Sequence, residues 1–301
     1  MSWLFFAFSG PVLWAISVHL DKYLVDRYFQ DSSVAVLLVF TALIGVLLLP
    51  FIAVWRPDAL ALPVHATAVM TLSGLLYMGA MYFYLQALQS EEASVVAPFF
   101  QTSPLFAYAL AYTVLGETLS GQQLLAGGLI IGCALLLSFR PGRHRAFKTR
   151  LVGLMLTCAL ALAVSSLIFK AFAVADDFWP TTFWMFVGEA IFGAGLLSVP
   201  SFRRQFLKLL RTHTVPVLTV NGANELINLG GGLGARYALL FAPLSLVQAI
   251  GSTTTLFVFL FGTAVSLVAP GLAREDLSWR NLARKAVSAL LIGGGVALIG
   301  P

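Results

Sequence analysis

Four polar residues stand together in an otherwise apolar stretch of this chain. Glu225 is accompanied by Asn221, Asn224 and Asn228, and spacings of three, four and seven residues place all four on one helix face. A desolvated carboxylate can carry a proton at physiological pH, and amides offer donors and acceptors to a polar ligand. The face therefore predicts a proton- or substrate-binding site. The alternative is that these residues only join helices through interhelical hydrogen bonds.

Tyr77 and Gln101 are the next candidates for the same site. A shift of the chain by 148 residues places Tyr77 opposite Glu225, and Gln101 lies between two prolines, where an irregular helix can line a cavity. A second buried carboxylate, Glu189, is interpreted as a structural contact, because its helix is expected at the periphery.

Charged residues also stand at the ends of two apolar stretches. His19, Asp21 and Lys22 lie together, and Lys170 occupies the position equivalent to Lys22. The two lysines can attract an anionic substrate at each mouth of a cavity, or they simply extend to the membrane interface. His19 is either a proton relay or a hydrogen-bonded interfacial residue.

Several chemistries are excluded by what the sequence lacks. Its four histidines and two cysteines show no metal-ligand spacing, and no nucleophile–base pair is visible, so neither an enzyme nor a metal or cofactor site is predicted. The glycine-rich run 230–234 lacks the lysine of a phosphate loop and is interpreted as a flexible helix hinge. Because Lys and Arg flank apolar runs, the membrane explains the net charge of +5 and no nucleic-acid partner is predicted.

The elements that must position these residues are membrane-spanning helices. The 301 residues are 59% hydrophobic and 10% charged, which is far outside the composition of soluble domains. Apolar runs of spanning length predict an all-α integral membrane protein with ten helices. The predicted spans are 3–24, 34–54, 66–88, 93–115, 124–139, 151–175, 179–199, 215–235, 239–268 and 286–300.

The distribution of basic residues predicts the orientation. Fifteen of the 18 Lys and Arg residues fall in the odd-numbered loops, and positively charged loops are retained in the cytoplasm. An even number of spans places both termini on the same side. The bias therefore predicts a multi-pass inner-membrane protein with both termini outside.

An internal duplication links the two halves of the chain. A shift of 148 residues superposes Ser17 on Ser165, Lys22 on Lys170 and Gly74 on Gly222, among other ordered matches. The predicted repeats are residues 1–140 and 150–301. Because each holds five spans, an odd number, the second enters the membrane from the opposite side, which gives inverted repeats around a central cavity.

The first half also carries the motifs of a known family. These are Trp14 and Lys22 in the first span, Ala87 and Leu88 before the fourth, Pro104, the Gly-Glu-Thr-Leu-Ser sequence 116–120 and the Gly-rich run 126–132. With these motifs the chain resembles the EamA family of the drug/metabolite transporter superfamily. The resemblance implies two five-helix repeats, a cavity lined mainly by spans one, three, four, six, eight and nine, and a small metabolite as substrate.

These observations predict a secondary transporter, an exporter more readily than an importer, that moves a small organic metabolite by alternating access with proton coupling through Glu225. The alternatives are a flippase for a lipid-linked intermediate and a non-transporting scaffold. Small residues four apart, Gly128 and Gly132 and likewise Ala289 and Gly293, predict close contacts of the fifth and tenth spans. They are compatible with a monomer or a homodimer.

Overall fold

The protein is described here by a computed structural model, which covers residues 2–28, 33–90, 99–100, 102–138, 149–175, 177–212, 215, 217–268 and 278–299. Every regular element in these residues is helical. The helices are α1 Ser2–Tyr28, α2 Ala35–Trp55, α3 Val64–Ser90, α4 Ser103–Leu110, α5 Gly121–Ser138, α6 Thr149–Ala175, α7 Phe178–Ser198, α8 Pro200–Thr212, α9 Gly222–Ala238, α10 Leu244–Gly251, α11 Thr254–Val268 and α12 Trp279–Ile299. A 3₁₀ turn, Pro57–Ala61, and two π turns, Ala111–Leu115 and Val217–Asn221, complete them.

Six helical stretches in the described residues are long and apolar enough to cross a bilayer. They are Trp3–Asp21, Ala35–Trp55, Val64–Ala87, Thr149–Ala175, Phe178–Ser198 and Leu244–Ala264. Large apolar side chains are exposed along them, such as Phe51 and Val54 on α2, as expected where lipid replaces water. The chain is therefore a multi-pass membrane protein, while the count of ten spans and the inverted repeat stay predictions.

The chain forms two compact units, and each unit takes segments from both halves of the sequence. Unit 1 comprises Met1–His19, Ala93–Lys148 and Ile227–Pro301. Unit 2 comprises Leu20–Glu92 and Thr149–Leu226. Helices α1 and α9 contribute residues to both units.

Unit 2 is built on α2, α3, α6 and α7, which pack closely because glycines stand where the helices meet. α3 crosses α7 at Gly74 and Gly188, where an added Cβ would overlap a backbone carbonyl of the other helix. Gly193 of α7 faces Ala42 of α2, and Gly45 of α2 faces Phe186 of α7. Residues later in α2 contact residues earlier in α7, so these two helices are antiparallel. They are equivalent spans under the predicted duplication, and an inverted repeat requires this direction.

Polar contacts fix the ends and the middle of unit 2. Arg56 binds Asp58 and Asp177, with Nη2 2.8 Å and 2.7 Å from their carboxylate oxygens, and thereby joins the end of α2 to the start of α7. Ser73 of α3 and Ser165 of α6 each donate a hydrogen bond to the other's carbonyl, at 2.9 Å. Both serines are buried, so these bonds fix the register of α3 against α6.

In unit 1, α5 packs against α12, and α10 packs against α4 and α5. The start of α5 is capped reciprocally. The backbone N–H of Gln123 donates to Ser120 Oγ at 3.2 Å, and the backbone N–H of Ser120 donates to Gln123 Oε1 at 3.0 Å. Gly116, in the left-handed conformation at φ 66°, ends the fourth span. The α5–α12 contact uses Gly295 against Ala126 and Ile130.

The ninth predicted span, 239–268, contains the candidate membrane span Leu244–Ala264, and the helix of this span is interrupted once. A turn with Pro243 occupies its first residues, and α10 ends at Gly251 before α11 begins at Thr254. The hydroxyls of Ser252, Thr253 and Thr254 donate to the carbonyls of Ala249, Ile250 and Gly251. Side chains that bond to nearby carbonyls compete with the helical ladder, which explains the break.

The loop predicted between the seventh and eighth spans contains the helix α8. Its Phe206 and Leu209 are buried in the core of unit 2, whereas Arg203, Arg204 and Lys208 are exposed. Apolar residues three apart on a basic background are typical of an amphipathic helix. The charges in this stretch therefore indicated a non-spanning segment correctly but concealed a helix.

Candidate functional site

The polar face predicted around Glu225 lies at the start of α9. The chain reaches it through the π turn Val217–Asn221, and regular α-helix begins at Gly222. Asn221, Asn224 and Glu225 are all buried, with 0%, 0% and 5% of their surfaces exposed. A π turn breaks the regular hydrogen bonding of a helix and often occurs at functional sites.

Asn224 is held by a carboxylate at the far end of α1. Its Nδ2 donates to Asp21 Oδ1 at 2.7 Å, across 203 residues of sequence. Because a carboxylate only accepts, this bond fixes which end of the amide faces Asp21. Asp21 is partly buried, and the phenol of Tyr84 on α3 lies near enough to interact with its charge.

Glu225 is held by α2. Thr41 Oγ1 donates to Glu225 Oε1 at 2.9 Å. One turn further along α2, Gly45 faces the Glu189 carboxylate of α7. The charges of both Asp21 and Glu189 act on Glu225, so three carboxylates from three helices share one region of unit 2.

We call Asp21, Thr41, Glu189, Asn221, Asn224 and Glu225 the acid–amide cluster. Three of its buried atoms have no hydrogen-bond partner among the described residues: Asn221 Oδ1, Asn221 Nδ2 and Asn224 Oδ1. Buried polar atoms are nearly always paired, and an unpaired one costs about 1–3 kcal/mol. These three atoms belong to the same cluster as the carboxylates of Asp21, Glu189 and Glu225.

The other predicted site residues are distributed over the fold. Tyr77 is half-buried against the core of unit 2, and Lys170 is half-buried on α6. Lys22 lies in α1, but its side chain is outside the described part. Gln101 is itself outside the described residues.

Two predicted residues belong to unit 1. Asn228 is half-buried on α9. His19 Nε2 donates to the Val258 carbonyl of α11 at 3.0 Å, since a carbonyl can only accept. This contact agrees with the hydrogen-bonded alternative for His19.

Sequence reasoning missed the partners of the polar face. The sequence places Asp21 in a charged group at the end of an apolar stretch and predicts a structural contact for Glu189. It predicts no role for Thr41. The only signal for Asp21 was a carboxylate beside an 18-residue apolar run; nothing local marks Thr41 within α2. The described His, Cys, Asp and Glu residues form no group arranged to hold a metal ion.

Comparison with known proteins agrees with this architecture. Residues 1–139 match the EamA-like transporter family, which confirms the predicted resemblance over that part of the chain. No curated protein matches. A solved structure described only as "Crystal structure of protein" superposes with a TM-score of 0.69 at 18% identity and covers 99% of this chain and 96% of its own. The two chains therefore share a fold over nearly their whole lengths.

Proposed function

We propose that the protein is a secondary transporter that exports a small organic metabolite across the inner membrane by alternating access, because residues 1–139 match the EamA-like transporter family. An amino acid or a related compound is the expected kind of substrate. The acid–amide cluster is the proposed binding site, and its buried unpartnered amides are the observation that carries this proposal. A scaffold has no need for polar atoms that its own fold leaves unpaired.

The family narrows the reaction class. A membrane transporter of this type needs a buried site that releases its ligand to either side, rather than a set of catalytic groups. The cluster offers carboxylates, amides and the Thr41 hydroxyl on α1, α2, α7 and α9, so small shifts of these helices would change its geometry. Relative movement of helices at a mid-membrane site is the basis of alternating access.

Proton coupling follows from the like charges of the cluster. The charges of Asp21 and Glu189 both act on Glu225, and the phenol of Tyr84 lies near enough to interact with Asp21 and with the thiol of Cys158. Neighbouring carboxylates in a site of low dielectric are not all ionised together without a counter-charge. A proton can therefore occupy the cluster when the substrate is absent and leave when the substrate binds, which couples export to proton entry.

The test is transport by purified protein in proteoliposomes loaded with a labelled metabolite extract. An inside-alkaline pH gradient should drive efflux of specific metabolites in exchange for entering protons, and an inside-acidic gradient should not. Glu225→Gln should reduce gradient-driven flux at least about tenfold, because it removes the charge that binds the proton. Asp58→Asn is the matched control, since Asp58 is an exposed carboxylate outside the cluster.

Three outcomes separate the possibilities. Full gradient-driven flux in Glu225→Gln would refute the proton role. Flux of lipid-linked material alone would favour the flippase, and no flux of any compound from the extract would favour the scaffold.

A further inference from the structure

We propose that the acid–amide cluster binds the ammonium group of its substrate, so that the transported compounds are amines. This inference rests on the proposed transport function and names the substrate class of the same site. The observation behind it is the pairing of a carboxylate cluster with a buried amide oxygen that has no donor.

The orientation of Asn224 is the first step. Its Nδ2 donates to Asp21, so its Oδ1 necessarily points away from that bond. This oxygen is buried and has no partner among the described residues. It is an acceptor beside a carboxylate, and it lacks a donor.

The balance of donors and acceptors is the second step. The carboxylates of Asp21 and Glu225 each accept one hydrogen bond from the protein, from Asn224 and Thr41. Within the described residues, neither forms an ion pair with Lys or Arg. A ligand that offered only acceptors would give the two carboxylates no further hydrogen bonds, whereas a ligand with several donors would form hydrogen bonds with them.

Charge is the third step. The carboxylates of Asp21 and Glu225 disfavour an anion, and a neutral ligand would bring them no counter-charge. An ammonium group supplies both a positive charge and up to three N–H donors at one point. It is the compact group that satisfies the carboxylates and the Asn224 oxygen together.

Asn221 adds a second feature to the substrate. Both atoms of its amide lack partners, so it offers a donor as well as an acceptor. A substrate with an oxygen acceptor near its ammonium group, such as an amino alcohol or an amino acid, would pair with Asn221 Nδ2 as well.

The experiment compares ligands that differ only in charge. Purified protein in nanodiscs is titrated by calorimetry with two matched series: phenethylamine, 2-phenylethanol and 3-phenylpropionate, and the butyl analogues of the same three groups. At least one amine should bind about tenfold more tightly than its alcohol and acid. Adding a hydroxyl beside the amine, as in 2-amino-3-phenylpropan-1-ol, should strengthen binding further, and Asn221→Leu should remove that gain.

Variants assign the preference to the cluster. Asp21→Asn should weaken amine binding about tenfold and leave the alcohol unchanged, because it removes one charge and keeps the shape. Asp21→Glu keeps the charge and should retain the amine preference, and the exposed Asp58→Asn should behave as the unmodified chain. A thermal unfolding curve for each variant shows that it is folded.

The inference is overturned by equal affinity for amine and alcohol, by undiminished amine binding in Asp21→Asn, or by no binding of any amine. These results remain distinct from failure of the transport proposal. Proteoliposome flux of an anionic or neutral metabolite would preserve a transporter while rejecting the ammonium site. Absence of flux for the whole extract would reject both.

Discussion

The two ends of α9 show opposite uses of one helix. At its start, in unit 2, Asn224 and Glu225 reach side chains of α1 and α2 through hydrogen bonds. Towards its end, in unit 1, Gly231 and Gly234 lie against Trp14 and Ser9 of α1 with no side chain between. The first end holds polar atoms that lack partners, and the second is closely packed.

The helix α9 therefore contributes to the proposed binding site at its start and to helix packing at its end. The polar end contains unpaired groups that cost stability, which a protein retains where a ligand completes them. The glycine end gains stability from close approach of two helices, as small residues allow in membranes. Changes at the polar end should therefore alter transport, and changes at the glycine end should alter stability.

The largest expected effect on stability comes from Gly231→Ala. A Cβ there would lie 3.2 Å from the Leu13 Cβ and 3.1 Å from the Trp14 Nε1, and the Leu13 Cβ cannot move without its backbone. We expect a loss of about 1–3 kcal/mol in unfolding free energy, measured by denaturant titration in detergent. Gly232→Ala is the control, because its Cβ would meet only Arg236 Cζ at 4.0 Å, and it should be neutral or stabilising. Equal effects of the two would contradict the packing role.

Asn221→Leu, at the polar end, should change the unfolding free energy in the opposite direction to Gly231→Ala, at the glycine end. It removes a fully buried amide whose two polar atoms have no partner among the described residues, so we expect a gain of about 1–2 kcal/mol in unfolding free energy. The same change should reduce transport, because the ligand loses its donor and acceptor. A variant that is destabilised, or that transports at the normal rate, would show that Asn221 is structural.

Gly234→Ala tests whether a close contact at the glycine end can be relieved. An added Cβ would overlap the hydroxyl of Ser9, which donates to the Phe6 carbonyl at 2.7 Å, and would lie 3.2 Å from the Ser9 Cβ and 3.3 Å from the Phe6 carbonyl oxygen. We expect a loss of about 1–2 kcal/mol that Ser9→Ala recovers in part, because it relieves only the overlap with the hydroxyl. The four thermal unfolding curves of this double-mutant cycle measure the coupling; additive losses would contradict the contact.

The smallest effect is expected for Asp58, a carboxylate that lies outside α9. The hydrogen bond from Arg56 holds the pKa of Asp58 below its ordinary value, so the carboxylate stabilises the fold above that ordinary pKa. The contribution is lost as the pH falls through the lowered pKa. Asp58→Asn should slightly flatten the acid limb of a thermal-stability profile, and only slightly, since Asp177 also binds Arg56. A steeper acid limb in Asp58→Asn would contradict the stabilising role assigned to the Asp58 carboxylate.

Much of the fold follows from the sequence because spans in a membrane are set by local composition. The predicted spans 34–54 and 179–199 correspond to α2 and α7 within one or two residues. The interruption inside the ninth span was not predicted, because the hydroxyl side chains that break the helix lie within a continuous apolar run. The helix α8 was missed because its basic residues were assigned to the loop they flank.

For the candidate site, the sequence by itself determined the polar face of α9, since its residues recur at helical spacing within one apolar stretch. Only the tertiary structure decided which groups oppose that face. Asp21 and Thr41 lie 203 and 184 residues from their partners, and no local pattern encodes a contact at that separation. Which carboxylates meet depends on how α1, α2, α7 and α9 pack, and the contact between α2 and α7 depends on glycines such as Gly193, which faces Ala42.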